Sequence, residues 1–207
     1  MPAMNAFPRG VGWIETICGS MFSGKTEELI RRVKRAVIAK QVVQVFKPRI
    51  DTRYDANKVV SHSAQALESR VIDRADEIFQ HLKPDTEVVG IDEVQFFKMD
   101  LLPVVEALAN KGLRVICAGL DQDYLGKPFE PMPQLLAISE YITKELAICV
   151  VCGNPANRSQ RIMASDERSC WRSSSPRSTT SPPPSVARLS SSSTMSRANW
   201  TPARTRC

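Results

Sequence analysis

The sequence predicts an α/β fold, a mostly parallel sheet flanked by helices, and three observations predict it. Strand-like and helix-like patterns alternate from Trp13 to Ala118. The first strand pattern runs straight into a glycine-bounded loop, Gly19-Ser20-Met21-Phe22-Ser23-Gly24-Lys25-Thr26, and then into a helical pattern. A later apolar run, Val88-Val-Gly-Ile91, delivers an acidic pair, Asp92-Glu93. Alternation of this kind implies crossover connections and ligand sites at the carboxyl ends of the strands.

Taken in order, Trp13 to Cys18 reads as a strand and Glu27 to Lys40 as a helix. Leu29, Val33 and Val37 recur at i, i+4, i+8 in that helix, while Arg31, Arg32, Lys34 and Arg35 fall largely on other faces and read as a solvated surface. Val42 to Phe46 is a second strand, stopped by Pro48. Asp73 to Leu82 reads as a helix with Asp73 as N-cap. Glu87 to Ile91 is a buried strand, Leu101 to Asn110 a helix and Leu113 to Ala118 another strand.

The loop between the first strand and helix fits G-x-x-x-x-G-K-[ST], in the strand-to-helix setting that gives the pattern meaning. Its glycines let backbone N–H groups turn toward phosphate oxygens, and the helix N-terminus adds a positive dipole end. Lys25 would reach the β- and γ-phosphates of a nucleoside triphosphate, and the Thr26 hydroxyl would ligate Mg²⁺. An acid at the end of a neighbouring strand commonly completes the metal shell, which assigns Asp92 to Mg²⁺ and leaves Glu93 as a proton acceptor. The phosphate-loop pattern makes the fold class phosphate-loop NTPase-like.

Composition narrows the setting. The net charge of +6 is a property of the tail: residues 169–207 hold six arginines and no acid, leaving 22 basic and 22 acidic residues in 1–168. The globular part therefore has no overall basic bias toward nucleic acid. No apolar run is long enough to span a membrane, and the N-terminal dozen residues lack a secretory pattern. Six cysteines, only two closely spaced, suit a reducing cytoplasm. Cys18 and Cys117 sit in apolar strands and read as small core residues.

Five segments together resemble thymidine kinases of the cytosolic, zinc-containing type: the phosphate loop, Asp51-Thr-Arg53-Tyr, Asp92-Glu-Val-Gln-Phe-Phe97, Gly119-Leu-Asp-Gln-Asp-Tyr-Leu-Gly-Lys-Pro-Phe129 and Cys149-Val-Val-Cys152. The resemblance covers roughly residues 12–163. It implies transfer of the ATP γ-phosphate to the 5′-hydroxyl of thymidine, with Glu93 as the base and with Lys25 and Arg53 as catalytic groups on the phosphates. It implies ATP contacts from Gly19 to Thr26 and from Asp92, Glu93, Val94 and Gln95. Met21, Phe96, Leu120, Tyr124 and Phe129 match positions around the thymine pocket, where flat apolar surface suits a base. A homotetramer is a further expectation from the resemblance.

Cys149 and Cys152 have the spacing that brings two thiolates to one metal. A structural zinc site needs four ligands, and no second closely spaced pair follows, so zinc occupancy stays open. The expected organisation is an N-terminal extension over 1–12, an ATP-binding α/β domain over 13–148, a partial zinc-ribbon and lid region over 149–168, and a tail over 169–207. Twelve serines and five prolines in that tail, with few aliphatic residues, cannot bury a core. Its composition is what an out-of-frame reading of a GC-rich gene gives; an interaction tail is the alternative. Because the family closes over the nucleoside with the segment replaced here, the expectation is a chain that binds ATP but phosphorylates thymidine poorly. Two other readings remain open at this point: a nucleic-acid-dependent phosphate-loop ATPase, and a nucleotide-binding protein without catalysis.

Overall fold

The computed structural model describes residues 11–49, 58–60, 66–161 and 200–201. β1 (Trp13–Gly19) leads into α1 (Lys25–Ile38), and β2 (Val43–Pro48) follows. A short hairpin, β3 (Lys58–Val60) and β4 (Ala66–Glu68), precedes β5 (Arg70–Ile72) and α2 (Glu77–His81). β6 (Val88–Ile91) runs into a 3-10 helix (Val94–Asp100) and α3 (Leu101–Asn110); β7 (Arg114–Leu120), α4 (Met132–Ile138) and β8 (Tyr141–Glu145) complete the sheet. Beyond it lie the paired two-residue strands β9 (Ala147–Ile148) and β10 (Pro155–Ala156), then β11 (Gln160–Arg161), which pairs with β12 (Trp200–Thr201).

Six strands form one sheet in the order β5-β2-β6-β7-β1-β8, and every neighbouring pair is parallel. The chain goes from β1 past two vacant positions to β2, then fills them with β6 and β7. The loops after β1, β6 and β7 are thereby gathered at one edge, where such a reversal of strand order leaves a crevice.

Side-chain alternation sorts the core into two layers. Ile17, Val45, Val88, Ile116 and Ala118 face α1 and pack with its Leu29, Ile30, Val33 and Ala36. Ile14, Cys18, Phe46, Val89, Ile91, Val115 and Cys117 face the other way, against α2, α3, α4 and the 3-10 helix. β6 and β7 are buried along their whole lengths, which is why they read as unbroken apolar runs. Gly90 lets α1 sit close: a Cβ there would stand 3.3 to 3.5 Å from Val45, Val33 and Leu29 side chains. Burial pushes the thiols of Cys18 and Cys117 up, as expected of core cysteines.

Several expected boundaries move. β2 begins at Val43 rather than Val42 and includes Pro48 as its last residue, in register with Ile72, where the expected strand ended at Phe46. The helix expected over Asp73–Leu82 is only Glu77–His81. Asp73 is not its cap: the Asp73 side chain pairs with Arg49 at 2.5 Å, and the N–H groups of Asp73 and Arg74 go to the Glu77 carboxylate. The expected solvated arginines of α1 are also divided. Arg31 is exposed and pairs with Glu28, but Arg32 is mostly buried and reaches both Glu28 and Glu15.

Candidate active site

The phosphate loop starts where β1 ends. Gly19 lies in register with Leu120 of β7 on one side and Glu145 of β8 on the other. A Cβ on Gly19 would come 2.2 Å from the Glu145 carbonyl oxygen, and its φ of +151° also favours glycine. Gly24 caps α1 with φ 92°, and the space beside it is open. This left-handed cap turns the first N–H groups of α1 into the loop, where an anion is best stabilised.

Lys25 is largely buried and bends over the loop, its Nζ donating to the Ser20 carbonyl at 2.6 Å and approaching Ser23 Oγ at 3.5 Å. Thr26 Oγ1 donates to Asp92 Oδ2 at 3.4 Å. A hydroxyl from the loop and a carboxylate from the end of β6 thus converge, a donor set of hard oxygens that fits Mg²⁺. The other Asp92 oxygen accepts the Glu93 N–H at 3.0 Å.

Glu93 is buried and left-handed, φ 51° and ψ 44°. A non-glycine residue in that region is uncommon and costs about 1–3 kcal/mol. The kink turns the chain from β6 into the 3-10 helix and sets Gln95 back against the Glu93 carboxylate, with Gln95 Nε2 donating to Glu93 Oε2. Gln95 Oε1 accepts the Leu120 N–H at 3.0 Å. Phosphate loop, acidic pair and β7 therefore share one corner.

The remaining predicted pocket residues come from three loops at that edge. Met21 is half-buried, its N–H donating to Ser159 Oγ at 2.9 Å. Leu120 is buried; Phe96, Tyr124 and Phe129 are half-buried. The loop carrying the last two folds around Asp123, whose Oδ1 accepts the N–H groups of Leu125 and Lys127, with Gln122 bridged to Pro128. Arg53 lies outside the described residues, as does most of the tail.

Sequence reasoning missed four contributors. Ser159 and Ala156, beyond the cysteine pair, hold the phosphate loop: besides the Met21 contact, Ser20 Oγ donates to the Ala156 carbonyl at 3.2 Å. Arg158 lies over Gly126, where a Cβ would fall 2.7 Å from its Nη1. Asp121, buried at the end of β7, pairs with Lys144 at 2.8 Å, and this partner raises the Lys144 amine above its usual value. Asp121 lies within the Gly119–Phe129 motif, but none of these contacts carries a local pattern, since each joins residues far apart in sequence.

Cys149 is buried with Ala147 and Ala156, whereas Cys152 is exposed. Gly153, with φ 72°, turns the chain back so that its N–H donates to the Cys149 carbonyl at 2.8 Å. Among the described residues no group of three or more His, Cys, Asp or Glu side chains converges. A structural zinc site takes four ligands, and the described residues supply the Cys149 and Cys152 pair to it. Among the described residues no helix is long and apolar enough to cross a membrane.

A family profile described as Thymidine kinase matches residues 12–171. A thymidine kinase of Rhodothermus sp. (strain ITI 518) is 61% identical over 158 residues, 76% of this chain and 74% of that protein. A thymidine kinase of Bdellovibrio bacteriovorus is 57% identical over 155 residues, 75% of this chain and 76% of that one. Among solved structures, the Legionella pneumophila ATPase DotB overlaps at a TM-score of 0.44 and 12% identity, over 72% of this chain and 44% of that one. That last likeness is too distant to bear on function. The family match runs past the boundary expected near residue 163.

Proposed function

We infer that this chain, which belongs to the thymidine kinase family, uses the corner described above to transfer the γ-phosphoryl group of Mg·ATP to the 5′-hydroxyl of thymidine. In our reading the backbone from Gly19 to Thr26 cradles the triphosphate, and Lys25 moves its ammonium from the Ser20 carbonyl to the phosphate oxygens. Thr26 and Asp92 would hold Mg²⁺, which supplies charge neutralisation on the phosphates when bound. Glu93 accepts the proton of the 5′-hydroxyl. That oxygen bonds to the γ-phosphorus as the bond from phosphorus to the β,γ-bridging oxygen breaks, giving thymidine monophosphate and ADP. Met21, Phe96, Leu120, Tyr124 and Phe129 offer the apolar surface for the base, and Arg53 is assigned by motif alone to charge on the transferring group.

One observation carries the reading: a phosphate loop, the Thr26–Asp92 pair and a buried, oriented Glu93 meet at the ends of β1 and β6, on either side of β7. The test is thymidine-dependent ADP formation by the full chain beside Glu93→Gln. Loss of about 10²- to 10⁴-fold in kcat is expected on removing a general base. Near-wild-type turnover in Glu93→Gln would remove Glu93 from the role.

Three finer points belong to the same proposal. The altered C-terminal segment lowers kcat, because the nucleoside loses the cover that excludes water; grafting a relative's C-terminal segment after Arg161 tests this by the rate it restores. Cys149 and Cys152 descend from a zinc site. Assembly as a homotetramer in the cytoplasm follows the family resemblance, with exposed Ile142, Ile148 and Val151 as apolar surface for self-association; light scattering would measure the mass.

A further inference from the structure

Gln95 uses both ends of its amide. Its Nε2 donates to the Glu93 carboxylate at 2.5 Å and its Oε1 accepts the Leu120 N–H at 3.0 Å, with the side chain only 2% exposed. The partners dictate the orientation: a carboxylate accepts only from the nitrogen, and a backbone N–H donates only to the oxygen. Gly119 makes room for this arrangement. A Cβ there would sit 2.7 Å from Gln95 Oε1 and 2.6 Å from Val94 Cγ2. Gly119 is not among the positive-φ glycines, so the neighbouring side chains, rather than a left-handed backbone, exclude a Cβ at that position.

We propose that Gln95 is a positioning residue for the phosphoryl transfer, locking the Glu93 carboxylate to the Leu120 wall of the nucleoside pocket. This gives Gln95 a different task from the ATP contact expected of it by resemblance, and it rests on Glu93 being the base. Glu93 has a rotatable side chain on a kinked backbone. A fixed donor on one of its oxygens, itself anchored to β7, aims the other oxygen toward the hydroxyl that must lose its proton. Misplacing a reacting group by about 1 Å can cost on the order of a hundredfold in rate. The same amide makes base placement depend on the backbone at Leu120, so seating of the nucleoside against that wall and alignment of the base become one event.

The test is a double-mutant cycle on the full chain, using Gln95→Met, Glu93→Gln and the pair, with kcat and both KM values measured. Gln95→Met keeps the volume and removes the donor. It should lower kcat by about ten- to a hundredfold, with KM for ATP and thymidine changed by less than about twofold. In the Glu93→Gln background the same substitution should change the residual rate by less than about twofold, because residues acting as a unit are not additive. Multiplying losses, or a rise in KM without a fall in kcat, would overturn the proposal and leave Gln95 a packing residue. If Glu93→Gln keeps wild-type kcat, the base assignment fails instead, and the two failures are distinct. Gln95→Leu serves should Gln95→Met not fold: it also removes the donor to Glu93 without adding a charge beside it, and should show the same kcat loss.

Discussion

The corner at the ends of β1, β6 and β7 and the segment from Ala147 to Ser159 meet the same phosphate loop but are built differently. The corner hangs on strands buried on both faces, with Gly19, Asp92 and Leu120 at the ends of the ladder. The distal segment has a core of three residues, Ala147, Cys149 and Ala156, and pairs of strands two residues long. It reaches the loop through Ser159 and the Ala156 carbonyl. Buried parallel strands hold position by packing, which a point substitution disturbs steeply. A strap held by single hydrogen bonds gives way by about 1 kcal/mol at a time. The proposed chemistry thus sits on the firmly packed element and adjustment on the strap.

The largest effect is expected at Gly19. Gly19→Ala drives a Cβ against the Glu145 carbonyl, a backbone atom that cannot step aside. Loss of ATP binding is expected, together with destabilisation beyond the ~1–3 kcal/mol of ordinary overpacking. Thermal unfolding with and without Mg·ATP would measure both; a retained ATP-induced shift would show the loop less constrained than described.

Glu15 tests the sheet away from the chemistry. Burial pushes its carboxyl up, but the hydrogen bond and charge of Arg114, the Trp13 N–H and Arg32 outweigh burial and hold it below its ordinary value. A depressed carboxyl contributes its stability above the unfolded value of 4.5 and loses it as pH falls through the lower folded value. Glu15→Gln leaves two arginines facing a neutral amide, and about 3–5 kcal/mol should be lost at neutral pH. The variant's stability should also fall less than wild type between pH 5 and about pH 3, as read from denaturant midpoints.

Effects in the strap should be smaller. Ser159→Ala removes the acceptor for the Met21 N–H and should cost about 1 kcal/mol, with a modest rise in KM for the nucleoside and little change in kcat. An equal loss in kcat would mean the strap belongs to the rigid corner. Smallest of all should be chelation: no group of three or more His, Cys, Asp or Glu side chains converges among the described residues, and metal chelators should leave the unfolding temperature unchanged. A drop of several degrees would show that the chain completes a zinc site elsewhere.

Local chemistry made much of this legible. The phosphate loop, the acidic pair after β6, α1, α3 and the buried strands were readable because each is a continuous segment whose side chains meet their own neighbours. The weaker elements were not. β5 is three residues long, β8 is an edge strand with mixed exposure, and the 3-10 helix exists only because Glu93 turns left-handed. No window of sequence announces a three-residue strand or a kink.

By itself the sequence determined the fold class, the position of the glycine-bounded loop, the family and the identity of the acidic pair, since all depend on residue type and spacing. Tertiary structure alone decided what those residues do to one another. It made Arg32 and Arg114 a buried pair on Glu15, bent Lys25 onto Ser20, seated Ser159 under Met21 and joined Glu93 through Gln95 to Leu120. The physical reason is range. Propensity and periodicity act over a few residues, whereas most of these contacts join groups far apart in the chain, Arg32 and Glu15 at 17 positions, Gln95 and Leu120 at 25, Met21 and Ser159 at 138, and the fold selects the partner through charge, burial and hydrogen bonding.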